Sequence, residues 1–176
     1  DQVKDKYFIR SRNKILTFDT EGNYLYNISG IGQGNKEYVN LSSFFIKNEE
    51  LCIYDFNQGR VLVFAPSGRY LRTEKAVKNS DVECVPQLIR PYGKNKYIAK
   101  NSFNGTPGYV TPALSLLDEK YTITRTLEGH SLNTGFLLFD FMNCDDNGGF
   151  ITYWEALSDT IYTVVNDSMV QPKYFV

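Results

Sequence analysis

The chain has 176 residues, enough for one domain with a substantial core. Its 19 basic and 20 acidic residues leave a formal net charge of −1, which offers no electrostatic reason to expect nucleic acid or an anionic membrane as a partner. Aromatic residues reach 15%, with 13 Tyr and 12 Phe; such residues suit half-buried pleated surfaces and favour an all-β chain, a carbohydrate- or peptide-binding face being the less common use of so many rings.

The first strand signal is KYFIRSR at residues 6–12, followed by NKILTFDTEGNYLYNI at residues 13–28. The second stretch returns as RVLVFAPSGRYLRT at residues 60–73. Ile15, Leu16, Phe18, Gly22, Tyr24 and Leu25 fall on Val61, Leu62, Phe64, Gly68, Tyr70 and Leu71, a constant offset of 46. A period of about 40 to 50 residues with four strands per unit marks a β-propeller. Residues 30–71 hold one whole unit, with apolar runs at 44–46, 51–54, 61–64 and 70–71. The runs are cut by the polar turn 47–50, by Asp55, Asn57, Gln58 and Gly59, and by Pro66, Ser67 and Gly68. Runs this short, broken by residues that bond their own backbone or accept positive φ, read as strands and tight turns. Four of them make a meander, which is one propeller blade.

On this reading the first blade (residues 6–28) lacks its opening strand, and the second occupies residues 42–77. A polar connector at 76–86 leads into a third blade, residues 87–128. Its strand signals are QLIRPY (87–92), KYIAKN (96–101), residues 113–117 and residues 121–127, with a Gly- and Pro-rich loop at 102–112. Asp118, Glu119 and Lys120 take the place of the Pro-Ser-Gly turn. The fourth blade, residues 136–176, has strand signals at 136–142, 150–157, 160–165 and 170–176, with a hairpin signal in NCDDNGG at 143–149. Pro172 implies an edge position or a bulge. No window carries a capped apolar stripe of helical period. The expected fold is therefore an all-β propeller segment of four-stranded antiparallel blades, about three and a half of them, in a single domain or fragment covering residues 1–176. An open arc leaves unpaired edges, so further blades or another chain are expected to complete the ring.

Three cysteines, Cys52, Cys84 and Cys144, have no CxxC spacing. This excludes a disulfide framework and a zinc ribbon while leaving room for one bridge; Cys52, inside an apolar strand, reads as a buried thiol. No apolar run reaches the length of about 18 residues that a spanning helix needs. Gly30, Gly32 and Gly34 lead into a strand and not into a helix N-terminus, so a phosphate cradle does not fit, and unusual φ at an inter-blade turn is the expected reason for them. Asp55 and Arg60 flank a turn and are expected to clasp it. Asp145 and Asp146, beside Asn143 and Asn147, have the flavour of a calcium loop without its distal bidentate Glu. His130 is the only histidine, which excludes a two-histidine zinc site within the chain and leaves at most one Ser-His-Asp triad. Candidate ligand-binding residues are Arg90, Tyr92 and Asp140, placed to line a channel from innermost strands, and Tyr153, Trp154 and Glu155, a ring cluster beside a carboxylate suited to a sugar. For each, a wet channel wall or core packing is the commoner role.

The pattern G-x-G-x-G-x-x-E-Y followed by L-x-I-Y-D-x-x-x-x-R-V-x-V-F-x-x-x-G-x-Y-L resembles NHL-type repeats. It is carried by Gly30, Gly32, Gly34, Glu37, Tyr38, Leu51, Ile53, Tyr54, Asp55, Arg60, Val61, Val63, Phe64, Gly68, Tyr70 and Leu71. More narrowly, the chain is similar to six-bladed β-propeller proteins of Bacteroidetes, and the closing residues 158–176 also resemble a segment of that family. The chain departs from the pattern in being too short for six blades and in carrying Asn35 and Lys36 where Pro and Gly are common. The resemblance implies export to the periplasm or cell surface, often as a lipoprotein, in a family mostly without an assigned biochemical function. The expected function is a non-enzymatic binding or scaffold module that holds a protein, peptide or glycan on a propeller face or in the axial channel. No catalytic residue or cofactor is assigned. The alternatives are a hydrolase or lyase with carboxylate-bound calcium in the channel near Asp140, and an architectural arc that dimerises through its open edges.

Overall fold

The computed structural model describes residues 1–75, 85–102, 112–127, 141–145, 150–154 and 159–175. These form sixteen strands, and no helix is found among the described residues. The strands make four antiparallel four-stranded sheets, each a meander in chain order. The first contains β1 (Gln2–Val3), β2 (Lys6–Ser11), β3 (Lys14–Asp19) and β4 (Tyr24–Ile28). The second contains β5 (Ser43–Lys47), β6 (Glu50–Asp55), β7 (Arg60–Phe64) and β8 (Tyr70–Lys75). The third contains β9 (Val85–Pro91), β10 (Tyr97–Ser102), β11 (Leu114–Leu117) and β12 (Ile123–Leu127), and the fourth β13 (Phe141–Asp145), β14 (Phe150–Trp154), β15 (Thr160–Asn166) and β16 (Met169–Phe175). This is the blade topology of a β-propeller.

The opening strand expected to be missing from the first blade is present as β1, which pairs Gln2 with Tyr7 and Val3 with Lys6. A two-residue ladder carries no apolar alternation to read, but Val3 is buried and the Phe8 amide donates to the Asp1 carbonyl at 2.8 Å. In the fourth sheet β13 runs on to Asp145, opposite Phe150, so only residues 146–149, outside the described residues, remain for the expected hairpin turn.

The recurrence in the sequence has a precise structural content. In the first three sheets the turn from third to fourth strand is closed by the same two backbone hydrogen bonds. The amides of Asp19, Ala65 and Asp118 donate to the carbonyls of Asn23, Arg69 and Thr122, and those of Gly22, Gly68 and Tyr121 donate back to Asp19, Ala65 and Asp118, all between 2.9 and 3.1 Å. The fourth residue of each turn needs positive φ, which is +87° at Gly22, +81° at Gly68 and +63° at Tyr121. A side chain in this region costs about 1 to 3 kcal/mol; at Tyr121 burial of the ring against Tyr97, 4.8 Å between centroids, offsets it. Beyond the turn, all four sheets show a register shift between third and fourth strands, which skips Leu25, Leu71, Thr124 and Lys173. Pro172 sits beside the last of these bulges, on the terminal strand of its sheet, the two settings in which a sheet tolerates proline.

The described residues within 1–77, with 88–91, form one compact unit; those within 78–87 and 92–176 form a second. In the first unit Phe8, Ile15 and Ile28 of the first sheet meet Phe44, Leu51, Ile53, Leu62 and Phe64 of the second, with Tyr38 and Leu41 added from the connection between them. The strands β6 and β7 are buried on both faces, whereas β2 and β3 alternate; a sheet covered on both sides loses the polar alternation of a half-exposed one. In the second unit β11 is buried throughout, and Tyr153 and Tyr162 stack at 5.4 Å. Cys52 is fully buried in β6, and burial, the largest of several causes, pushes its thiol up to about 12.

The paired turns allow a direct test. An alanine at Gly22 would find open space, while at Gly68 its Cβ would lie 2.9 Å from the Tyr26 ring. Gly22→Ala is expected to cost about 1 kcal/mol for the backbone alone, and Gly68→Ala about 2 to 3 kcal/mol because overpacking adds to it. Equal midpoint shifts in urea melts would show that the Tyr26 contact is immaterial. In a Cys84→Ser, Cys144→Ser background, Cys52 should ignore a thiol reagent at neutral pH until the chain unfolds; prompt labelling of the native chain would contradict the assigned burial.

Candidate functional site

The glycine-rich segment between β4 and β5 is a structural crossing. The Tyr38 amide donates to the Gly30 carbonyl at 2.7 Å and the Gly32 amide to the Tyr38 carbonyl at 3.1 Å, forming a parallel bridge between Ile31 and Tyr38. The Glu37 carboxylate accepts the Gly34 amide at 2.9 Å. None of the three glycines is in the left-handed region, contrary to the expectation from sequence. Two of them leave room for the Glu37 carboxylate: a Cβ on Gly32 would stand 2.0 Å from Glu37 Oε2 and one on Gly34 3.0 Å from it, so a side chain at either position would push this flexible carboxylate aside.

Asp55 and Arg60 face each other in the β6–β7 register, yet no hydrogen bond or ion pair joins them among the described contacts. The fully buried Asp55 carboxylate accepts the amides of Val39 at 2.8 Å and Asn57 at 3.1 Å, with Asn40 more distant at 3.4 Å. Arg60 Nη2 donates to the carbonyls of Gly34, at 2.8 Å, and Glu37. From the first sheet, Asn13 Oδ1 accepts the Leu41 amide at 2.7 Å and its Nδ2 donates to the Val39 carbonyl at 3.3 Å. Asp55 is thus a receptor for backbone donors of the crossing. Asp55→Asn would set an amide N–H against those donors, and about 2 to 3 kcal/mol of stability should be lost in denaturant melts; a variant as stable as the parent would refute this role.

The second cluster lies where β5 meets β9. Ser43 Oγ accepts the Ile89 amide at 3.1 Å and lies 3.2 Å from the Ile89 carbonyl, to which it donates. Arg90 Nη1 donates to the Phe44 carbonyl. Arg10 of β2 donates through Nη1 to the Ser42 carbonyl at 2.9 Å and through Nε to the Arg12 carbonyl at 3.1 Å. Two guanidinium groups therefore reach the same three-residue stretch of chain. The pKa of Arg10 is lowered, first by desolvation and second by the charge of Arg90. Neither arginine has an acidic partner among the described ion pairs, whereas Arg72 is held between Glu50 and Glu74 at 2.7 and 2.8 Å. Arg90 was a candidate from sequence; Arg10 and Ser43 were not, because a lone basic residue and a small polar one on short strands carry no spacing signal.

The other candidates are dispersed. Tyr92 follows β9 and belongs to the second unit, where burial and the neighbouring Asp167 raise its hydroxyl's pKa; Asp167 pairs with Lys96 at 2.5 Å on the surface. The Tyr153 ring is 1% exposed, stacked on Tyr162, with the Lys100 ammonium 5.6 Å from its centroid, so that ring belongs to the core. Trp154 ends β14, opposite Ile161 in the register. Asp140 and Glu155, like Asp146 and Asn147 of the calcium-like run, lie outside the described residues. Among the described residues no three His, Cys, Asp or Glu side chains converge as an ion site, and no helix is long and apolar enough to cross a membrane.

The fold is shared by solved structures. A protein of Bacteroides fragilis named "Putative exported protein" matches 99% of this chain with a TM-score of 0.75 and 17% identity, over 49% of its own length. A member of the duf4221 family from Bacteroides vulgatus matches 97% of the chain with a TM-score of 0.60 and 8% identity, over 57% of its length. A streptogramin B lyase matches 95% with a TM-score of 0.55 and 9% identity, over 50% of its length. At these identities the likeness concerns the fold alone, and the chain spans about half the length of the structures it matches. No curated protein shows significant similarity to it. The family described as "Domain of unknown function (DUF4934)" matches residues 2–176, nearly the whole chain, and the chain belongs to that family.

Proposed function

We propose that the chain is a non-enzymatic binding or scaffold module of a bacterial cell envelope. In this reading it is one arc of a larger six-bladed propeller with NHL-like repeats, whose ring holds a protein, peptide or glycan on a face or in its axial channel. The observation that carries the reading is the open face of the first sheet. Tyr7 pairs with Phe18 and Phe18 with Tyr24, while Ile9 pairs with Leu16 one pleat along, so these side chains share one face. Tyr7, Ile9 and Tyr24 are 40%, 52% and 54% exposed, and the Phe18 and Tyr24 rings meet edge to face at 5.9 Å. The corresponding strands of the second sheet are buried on both sides.

An uncovered row of aromatic and branched side chains on a blade-like sheet fits a second protein layer better than a small substrate. The occupant that fits is a further blade of the same kind, since structures sharing the fold are about twice as long as this chain. The name of the Bacteroides fragilis protein supports placement in the envelope. The alternative of a calcium-dependent hydrolase or lyase rests on Asp140, outside the described residues, and the likeness to a lyase carries only the fold.

The test is on the open face. The chain should self-associate with rising concentration in sedimentation runs and bind an apolar dye, and the triple variant Tyr7→Ser, Ile9→Thr, Tyr24→Ser should lose both while keeping its β-sheet spectrum. Unchanged sedimentation and dye binding in a folded triple variant would remove this surface from the reading.

A further inference from the structure

The geometry points to a carboxylate receptor formed by Arg10 and Arg90 across the start of β5: the two guanidinium groups together hold the carboxylate of an acidic ligand, such as a uronic acid. Arg10 Nη1 is held on the Ser42 carbonyl and Arg90 Nη1 on the Phe44 carbonyl, and residues two apart on an extended chain are about 7 Å apart. Two guanidinium groups set by such anchors can share one carboxylate, because each N–H···O contact of a charge-assisted pair spans about 2.8 Å. The segment that bears Arg90 is fastened to β5 by the paired Ser43–Ile89 hydrogen bonds, so its position does not depend on a ligand.

The unspent donors decide the chemistry. Among the described hydrogen bonds Arg90 uses only Nη1, which leaves the edge formed by Nε and Nη2, the edge that matches the two oxygens of a carboxylate. Arg10 uses Nη1 and Nε and has Nη2 left to meet the same group. Both anchors are neutral carbonyls, so two like charges stand together with no counter-ion among the described residues. This differs from the way the chain settles Arg72, which is closed on both sides by Glu50 and Glu74. Arg10 is exposed and Arg90 half-buried, so a ligand can reach the pair. This inference deepens the binding-module reading, on which it rests, by naming the ligand group; it uses no residue of the open face of the first sheet, so the two tests fail independently.

The experiment titrates the folded chain with D-glucuronate and follows the arginine Nε–H signals by NMR, with glucose as the neutral control and inorganic phosphate as the tetrahedral anion. Glucuronate should shift the Arg10 and Arg90 signals saturably, glucose not at all, and phosphate more weakly. Arg90→Lys keeps the charge but loses the fork, and should weaken glucuronate binding about tenfold, the worth of one charge-assisted hydrogen bond. Arg10→Gln, at an exposed position, should weaken it by a similar factor with the fold kept. The inference is overturned if glucuronate gives no saturable shift, if phosphate binds as well as glucuronate, or if binding survives in the double variant.

Discussion

The structure depends on how the chain leaves one sheet and enters the next without stranding backbone donors, and the Asp55 carboxylate is the group that makes this possible in the first unit. The crossing between β4 and β5 has no long ladder; its residues 33–37 are exposed, but its amides from Val39 to Leu41 approach the core and are met by side-chain acceptors. Asp55 takes the amides of Val39 and Asn57 from the end of β6, Asn13 takes that of Leu41 from the neighbouring sheet, and Arg60 ties down the carbonyls of Gly34 and Glu37. A buried carboxylate is tolerable only when several donors surround it, and here Val39 and Asn40 of the crossing supply them together with Asn57 of the turn after β6. Tyr38 and Leu41 can then enter the apolar core between the two sheets.

Legibility in the sequence follows the length of the signal. The offset of 46 residues reports real equivalence, since it aligns the turns at Gly22 and Gly68 and the bulges at Leu25 and Leu71. Asp118 to Tyr121 builds the same turn without glycine, which sequence reading places correctly by position though not by residue type. The strand β1 is lost to pattern reading because two residues have no period. Cross-strand adjacency of Asp55 and Arg60 suggests a pair, but adjacency does not say where a long side chain goes, and tertiary backbone donors outcompete a local ion pair. The glycines at 32 and 34 are legible as part of a turn but not in their contact, because the space they leave is filled by the Glu37 side chain, which only the folded loop brings near.

The candidate site divides in the same way. Arg90 is readable from its place on an opening strand, whereas its companion Arg10 comes from a different sheet, 80 positions earlier in the chain, and only the fold relates them. Tyr153 reads as a ring near a carboxylate, yet strand alternation turns it inward onto Tyr162. Arg10 and the open aromatic face lie on the same strand, β2, where alternation sends Phe8 and Arg10 toward the second sheet and Tyr7 and Ile9 away from it. One six-residue strand thus carries a core contact, a charged anchor and an uncovered apolar row.

The repeated bulge between third and fourth strands bears on how such a chain stays in solution. In every sheet the fourth strand is a terminal one, with no further strand paired to it among the described residues; such an edge is of the kind that recruits other strands and seeds fibrils. A skipped residue breaks the regular spacing of that edge and increases its local twist, so a straight incoming strand cannot match it for more than a few residues. Placing the irregularity at Leu25, Leu71, Thr124 and Lys173 gives each blade the same guard against edge-to-edge growth. A protein assembled from many similar sheets needs this protection most, because any two of its edges would otherwise be interchangeable.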